Sequence, residues 1–188
     1  MKKSFSPFLI ILAIFFLPLT TKSSSNNNLI QILSEGDNVI FIRHALAPGG
    51  GDPPGFKIHD CNTQRNLNSV GIKQSKNIGK FFKIKKIPID AVLSSQWCRC
   101  KDTAKYAFKN FKEFSALNST FQSSFAKNQP KQLRELKTYV NNWKTNGGNL
   151  VLVTHFSIIT AITTAVPSSG EIIVTDKNFN VLGSILID

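Results

Sequence analysis

Three short apolar runs constrain this chain more than any other feature of it. Residues 38–42 (NVIFI), 90–94 (DAVLS) and 149–154 (NLVLVT) are short and apolar, the first of them rich in β-branched residues, and they are bounded by polar or turn-forming ones. Runs of that length and composition read as buried strands. Helical spacing fills the gaps between them. Asn68 or Ser69 can cap a helix to about Lys83, with Val70, Ile78, Phe81 and Phe82 facing inward. A second helix covers roughly 99–111, with Ala104, Ala107, Phe108 and Phe111 on its apolar side. Pro130 suits the first turn of a third helix, which carries Leu133, Leu136, Val140 and Trp143 at helical spacing up to Gly147-Gly148. A short helix over 158–165 and two strands, 171–175 and 181–187, complete the chain. The order β-α-β-α-α-β-α-β-β predicts an α/β domain with a largely parallel central sheet between helical layers. Residues 114–129 show no clear period.

The first residues read differently. Lys2 and Lys3 precede an apolar stretch from Pro7 to Leu19, and small polar residues follow. That is the layout of a secretory signal peptide, assigned to 1–23, with a polar linker at 24–28 and the domain at 29–188. The apolar run falls short of the ~20 residues a membrane span needs. The cleavage site is weak, with Thr21 and Ser23 as its small pair, so an uncleaved anchor stays open. Export predicts a periplasmic or secreted protein with no stable membrane span once the signal is removed. In an oxidising compartment two of the three cysteines can pair, and Cys61 with Cys98 is the expected pair, both flanking the candidate site. The alternative is three small buried thiols.

Two of the three histidines stand at strand ends: His44 after the first strand and His155 after the third. In open α/β sheets the ligand site lies beyond the carboxyl ends of the strands. Arg43 adjoins His44, and Arg99 follows the second strand. Two guanidinium groups and two imidazoles converging at one sheet edge suit a phosphoryl dianion, because the guanidinium fork matches phosphate oxygens and keeps its charge. The formal net charge of +12 draws anions generally, or reflects a Lys-rich genome. No basic run interleaved with aromatics points to nucleic acid.

These segments resemble the histidine phosphatase superfamily, which includes phosphoglycerate mutases and acid phosphatases. FIRHALAPG is similar to its R-H-G or R-H-A motif, LSSQWCRCKDTA to its second block with Arg99, Thr103 and Ala104 in place, and LVLVTHFSII to its third. The Gly/Pro-rich loop of residues 45–66, running into HDCNTQRNLN, resembles an exported subgroup related to phosphatases of lipopolysaccharide core heptose phosphates. The resemblance implies a phosphoglycerate mutase-like three-layer α/β/α sandwich and a phosphomonoesterase without metal or cofactor. Neutral His44 would attack phosphorus, giving a phosphohistidine. Arg43, Arg99 and His155 would hold the phosphoryl oxygens. Arg65 is a further substrate contact or a surface salt bridge.

The proton donor for the leaving group is not evident. No carboxylate follows His155, where Phe156 stands, and 115–129 has none. Asp60 and Glu171 are the preferred pair, with Asp52 remaining. Three other readings compete. A zinc site of His44, His59, Cys61 and His155 has suitable ligand types, but the arginines would repel a cation. A glycolytic mutase is at odds with export. A catalytically weak protein that binds phosphorylated envelope ligands would need no acid.

Overall fold

The computed structural model describes residues 22–187. The chain opens with α1 (Lys22–Glu35) and β1 (Val39–Arg43), then a long loop that ends in α2 (Ser69–Ile84). Next come β2 (Ile89–Ser94), α3 (Cys98–Phe108) and the two-residue β3 (Lys112–Glu113). The short α4 (Ser123–Ala126), α5 (Gln129–Asn142), β4 (Asn149–Thr154), α6 (Phe156–Thr163), β5 (Ile172–Thr175) and β6 (Val181–Ile185) follow. The six strands form one sheet in the order β3-β2-β4-β1-β5-β6. β1, β2, β3 and β4 pair in parallel, and β5 runs antiparallel to both of its neighbours.

Strand alternation sorts the core into two halves. Ile40 and Ile42 of β1, with Val151 and Val153 of β4, face Leu29 and Leu33 of α1, Ile78 and Phe82 of α2, and Cys100 and Ala104 of α3. Val39, Phe41, Leu150 and Leu152 face Leu136 and Val140 of α5 and Ile158 and Ile159 of α6. The result is the three-layer α/β/α sandwich with a largely parallel sheet. Leu136 is fully buried, so its truncation to Ala costs roughly 2–5 kcal/mol.

Two expectations need correction. Residues 24–28 are not a linker: they lie in α1, whose Leu29 and Leu33, one turn apart, dock on the sheet. The signal-peptide assignment, 1–23, falls outside the described residues except for the first two of α1. Val70 does not face inward but is exposed in the first turn of α2, beside Gly71. Gly71 is the residue that meets the core loop there, since a Cβ on it would sit 2.1 Å from the Leu46 carbonyl oxygen. Among the described residues, no helix is long and apolar enough to cross a membrane.

Candidate active site

β1 and β4 are neighbours in register, Arg43 opposite Thr154, so the next residue of each strand emerges at the same edge. Those residues are His44 and His155. The His44 amide donates to the Thr154 carbonyl at 2.9 Å, and the two rings meet edge to face with centroids 5.4 Å apart. Both side chains are buried.

Their hydrogen bonds fix their tautomers. His44 Nδ1 lies 2.8 Å from its neighbour's carbonyl, Ala45 O. A carbonyl only accepts, so Nδ1 carries the proton and Nε2 keeps a lone pair. His155 Nδ1 makes a long contact, 3.5 Å, with Arg99 Nη2, which only donates. Its Nε2–H therefore donates to Ser95 Oγ at 3.0 Å, and Ser95 passes a hydrogen bond to Asn118 Oδ1 at 3.2 Å. Burial, then the charge of Arg99, holds both imidazoles well below the usual histidine range, so both are neutral at physiological pH. Cys100 Sγ sits 3.4 Å from His155 Nε2. Burial pushes this thiol up to about 12, so it is not a nucleophile.

Arg99 stands in the first turn of α3, buried, and grips Asp52 with Nη1 and Nη2 at 2.8 and 3.2 Å. Asp52 also accepts from the Trp97 indole at 2.9 Å and from the Arg65 amide at 3.0 Å. Its two oxygens thus serve four donors. The loop that carries Asp52 is pinned to α3 twice more. Gln64 Oε1 accepts from the Cys98 amide at 3.0 Å, satisfying an orphan N–H of the helix terminus. Cys61 and Cys98 form the expected disulfide, with Cα atoms 5.7 Å apart. Arg65 is half-buried and braces the loop from within, its Nε donating to Gly51 O at 2.9 Å and its Nη1 to Ala47 O. Arg43 Nη1 donates to Pro167 O at 2.9 Å, and its guanidinium lies 5.4 Å from the centroid of the Phe156 ring. The Nε groups of Arg43 and Arg99 are buried and have no hydrogen-bond partner in the protein.

The two histidines, the three arginines and Asp52 line one cavity of about 380 Å³. Arg43, His44, Arg65, Arg99 and His155 are brought together there, with Asp52 as its one carboxylate. Three guanidinium groups against one carboxylate make it an anion site. Two larger grooves, about 550 and 490 Å³, run beside α5 and the open edge of β2, but they hold no histidine.

The two residues expected to donate a proton are not brought in. Asp60 caps a short 3-10 turn, accepting from the Asn62 amide at 3.1 Å, and Glu171 accepts from the Ser168 amide at 2.7 Å. Neither lines the cavity. Both carboxylates are used by the turns in which they stand. Four residues that do line it escape sequence reading: Ser119, Phe121 and Gln122, from the stretch without a period, and Val166. Phe156 also lines it, and the sequence marks it only as the residue in place of an acid. The zinc reading is overturned at Cys61, whose sulfur is bonded to Cys98, and His59 is exposed.

No family model matches the chain, and no curated protein does. Solved structures do. SixA from Agrobacterium tumefaciens, assigned as a phosphohistidine phosphatase, is 18% identical with a TM-score of 0.54, over 79% of this chain and 97% of that one. A phosphoglycerate mutase from Thermus thermophilus is 15% identical with a TM-score of 0.53, over 80% and 99%. The protein histidine phosphatase SixA complexed with tungstate is 14% identical with a TM-score of 0.50, over 77% and 92%. The fold is therefore phosphoglycerate mutase-like.

Proposed function

We propose that this chain is an exported, metal-independent phosphomonoesterase of the histidine phosphatase type, working through a phosphohistidine at His44. One observation carries the reading: the free Nε2 lone pair of His44 shares a cavity with two unpartnered guanidinium N–H groups, those of Arg43 and Arg99. The likeness to phosphatase and mutase structures supports it.

In the first step Nε2 attacks phosphorus in line, the N–P bond forms, and the ester P–O bond breaks with its electron pair leaving on oxygen. Arg43, Arg65 and Arg99 offset the charge on the equatorial oxygens. A phosphoryl dianion beside His155 favours uptake of a proton from solvent at Nδ1, and that Nδ1–H then donates to a phosphoryl oxygen. In the second step water attacks phosphorus, the N–P bond breaks, and the pair returns to Nε2 while a water proton goes to solvent. The residues present fit these steps without a metal ion.

The substrate is a phosphorylated small molecule. An envelope sugar, the alternative that the sequence suggested, has an alkoxide leaving group, and the cavity's one carboxylate is committed to four donors. That commitment also favours a second reading, a weakly catalytic protein that binds phosphorylated envelope ligands. Export is supported by the leader pattern and by a disulfide, which persists in oxidising compartments.

The experiment is turnover of p-nitrophenyl phosphate with EDTA by the chain from about Ser24 onward, beside His44→Ala. Turnover that survives EDTA and falls at least about a thousandfold in the variant supports the reading. An acid-labile phosphoenzyme should form in the parent alone. Phosphate binding without any turnover would leave the binding-protein reading.

A further inference from the structure

The cavity is charged at its floor and apolar at its mouth. Three apolar side chains line it there: Phe121, 55% exposed, Val166, 77% exposed, and the half-buried Phe156. Single exposed hydrophobics are ordinary on a protein surface. These three instead border the one cavity that holds the histidines. Phe121 meets Phe156 edge to face at 5.4 Å, and Phe156 lies under the Arg43 guanidinium at 5.4 Å, so an aromatic row runs from the phosphate-binding arginine to solvent.

Phe121 is also held in place. Next to it, Thr120 N donates to Ser157 Oγ of α6 at 3.2 Å, and Gln122 Nε2 donates to the Asp52 carbonyl at 3.2 Å. The rim is anchored to a helix on one side and to the Asp52 loop on the other, so a group packing on Phe121 meets a preorganised surface.

We propose that this rim is a leaving-group subsite for a ring, and that the substrates are phosphomonoesters of aromatic alcohols with Phe121 as the specificity-determining residue. The inference rests on the phosphatase reading above. A second, independent observation points to the same class. With Asp52 fully engaged, the cavity offers no free carboxyl to protonate a leaving alkoxide. A phenol ionises near pH 10, about six units below water, so a phenolate departs without that help. Ring stacking at the mouth and unassisted departure of phenolate belong to one ester class.

The test uses the oxidised chain and three donors: acetyl phosphate, phenyl phosphate and 2-naphthyl phosphate. Acetyl phosphate has a small polar leaving group that needs no acid, so it reports phosphoryl transfer apart from the rim. The two aryl esters have similar leaving groups and differ in ring area. kcat/KM should favour naphthyl over phenyl phosphate by about tenfold, the size of one good aromatic contact. Phe121→Ala should lower the naphthyl-to-acetyl ratio about tenfold, and Phe121→Tyr should restore it. A phosphotyrosyl peptide serves as a last arm, and its turnover supports the inference too, since it also carries the ring on the ester oxygen. Turnover of acetyl phosphate with a naphthyl-to-phenyl ratio near one, unmoved by Phe121→Ala, overturns the subsite while phosphoryl transfer stands. No turnover of acetyl phosphate and no phosphoenzyme overturns both.

Discussion

Arg99 and Asp52 form a two-point ion pair inside the wall of the cavity, at 2.8 and 3.2 Å, with both side chains almost wholly buried. The pair joins the first turn of α3 to a loop that otherwise has little core of its own. Arg99 is thereby presented to the cavity in one orientation, with its Nε left over.

Breaking this pair from one side leaves a buried charge unmatched, which costs about 3–5 kcal/mol. Asp52→Asn should therefore lower the melting temperature by several degrees and impair turnover. Replacing both partners, as in Asp52→Leu with Arg99→Met, should be less destabilising than the sum of the single changes, yet inactive. Thermal melts of the four proteins in a double-mutant cycle measure the coupling. Additive losses would show that the pair does not hold the loop.

Much of this arrangement is legible in the sequence, and the reason is periodicity. Three apolar runs and the histidines behind two of them place His44 and His155 at one sheet edge, and Arg43 and Arg99 come with them. What is not legible has no period. α1 begins with Ser and Asn residues, so only Leu29 and Leu33 betray its buried face. The rim residues Ser119, Phe121 and Gln122 lie between a two-residue strand and a four-residue helix, where positions are set by contacts remote in sequence. Asp52 has the chemistry of an acid, but four donors on three residues remote in sequence make it a clamp, and no local pattern announces that. Asp60 and Glu171 fail for the opposite reason: each is satisfied within its own turn.

The disulfide closes a loop between residues 37 apart in sequence. Loop-closure entropy alone gives it about 4 kcal/mol of stabilisation. Because Cys98 precedes Arg99, its loss should also loosen the Asp52 clamp. Cys61→Ser with Cys98→Ser should melt at lower temperature and lose most turnover, and dithiothreitol should act on the parent in the same way but not on the variant. Full activity in the variant would refute a positioning role for the bridge.

Both histidines are neutral in the fold because burial and Arg99 hold their titration well below the usual range. The unfolded chain takes up a proton on each near pH 6.5. Above that pH neither state is protonated and stability is at its full value. Below it the unfolded chain binds more protons, so stability falls as pH falls, by up to about 1.4 kcal/mol per pH unit for each histidine, until the folded values are reached. Urea titrations from pH 7.5 to 5 should show this decline, and His44→Asn with His155→Asn should flatten it. A flat profile in the parent would mean that the two rings are not buried neutral.

Ser95 reaches the chemistry only through His155. Its Oγ accepts from His155 Nε2–H at 3.0 Å, which leaves Nδ1 as the nitrogen facing Arg99. Ser95→Ala removes that acceptor and leaves only the Cys100 sulfur, 3.4 Å away, as a weak alternative. An unsatisfied buried N–H costs about 1–3 kcal/mol, and the ring escapes the cost by turning or by moving its proton to Nδ1. Either outcome changes what His155 offers to a phosphoryl group, so kcat should fall about tenfold or more. Ser95→Thr keeps the hydroxyl and should recover most of the loss, whereas Cys100→Ala should leave the tautomer as it is. Nitrogen-15 shifts of the His155 ring provide the decisive readout. In the parent the protonated nitrogen should be Nε2, and in Ser95→Ala that signal should move. An unmoved signal together with lowered kcat would remove the tautomer from the explanation and leave only a packing effect.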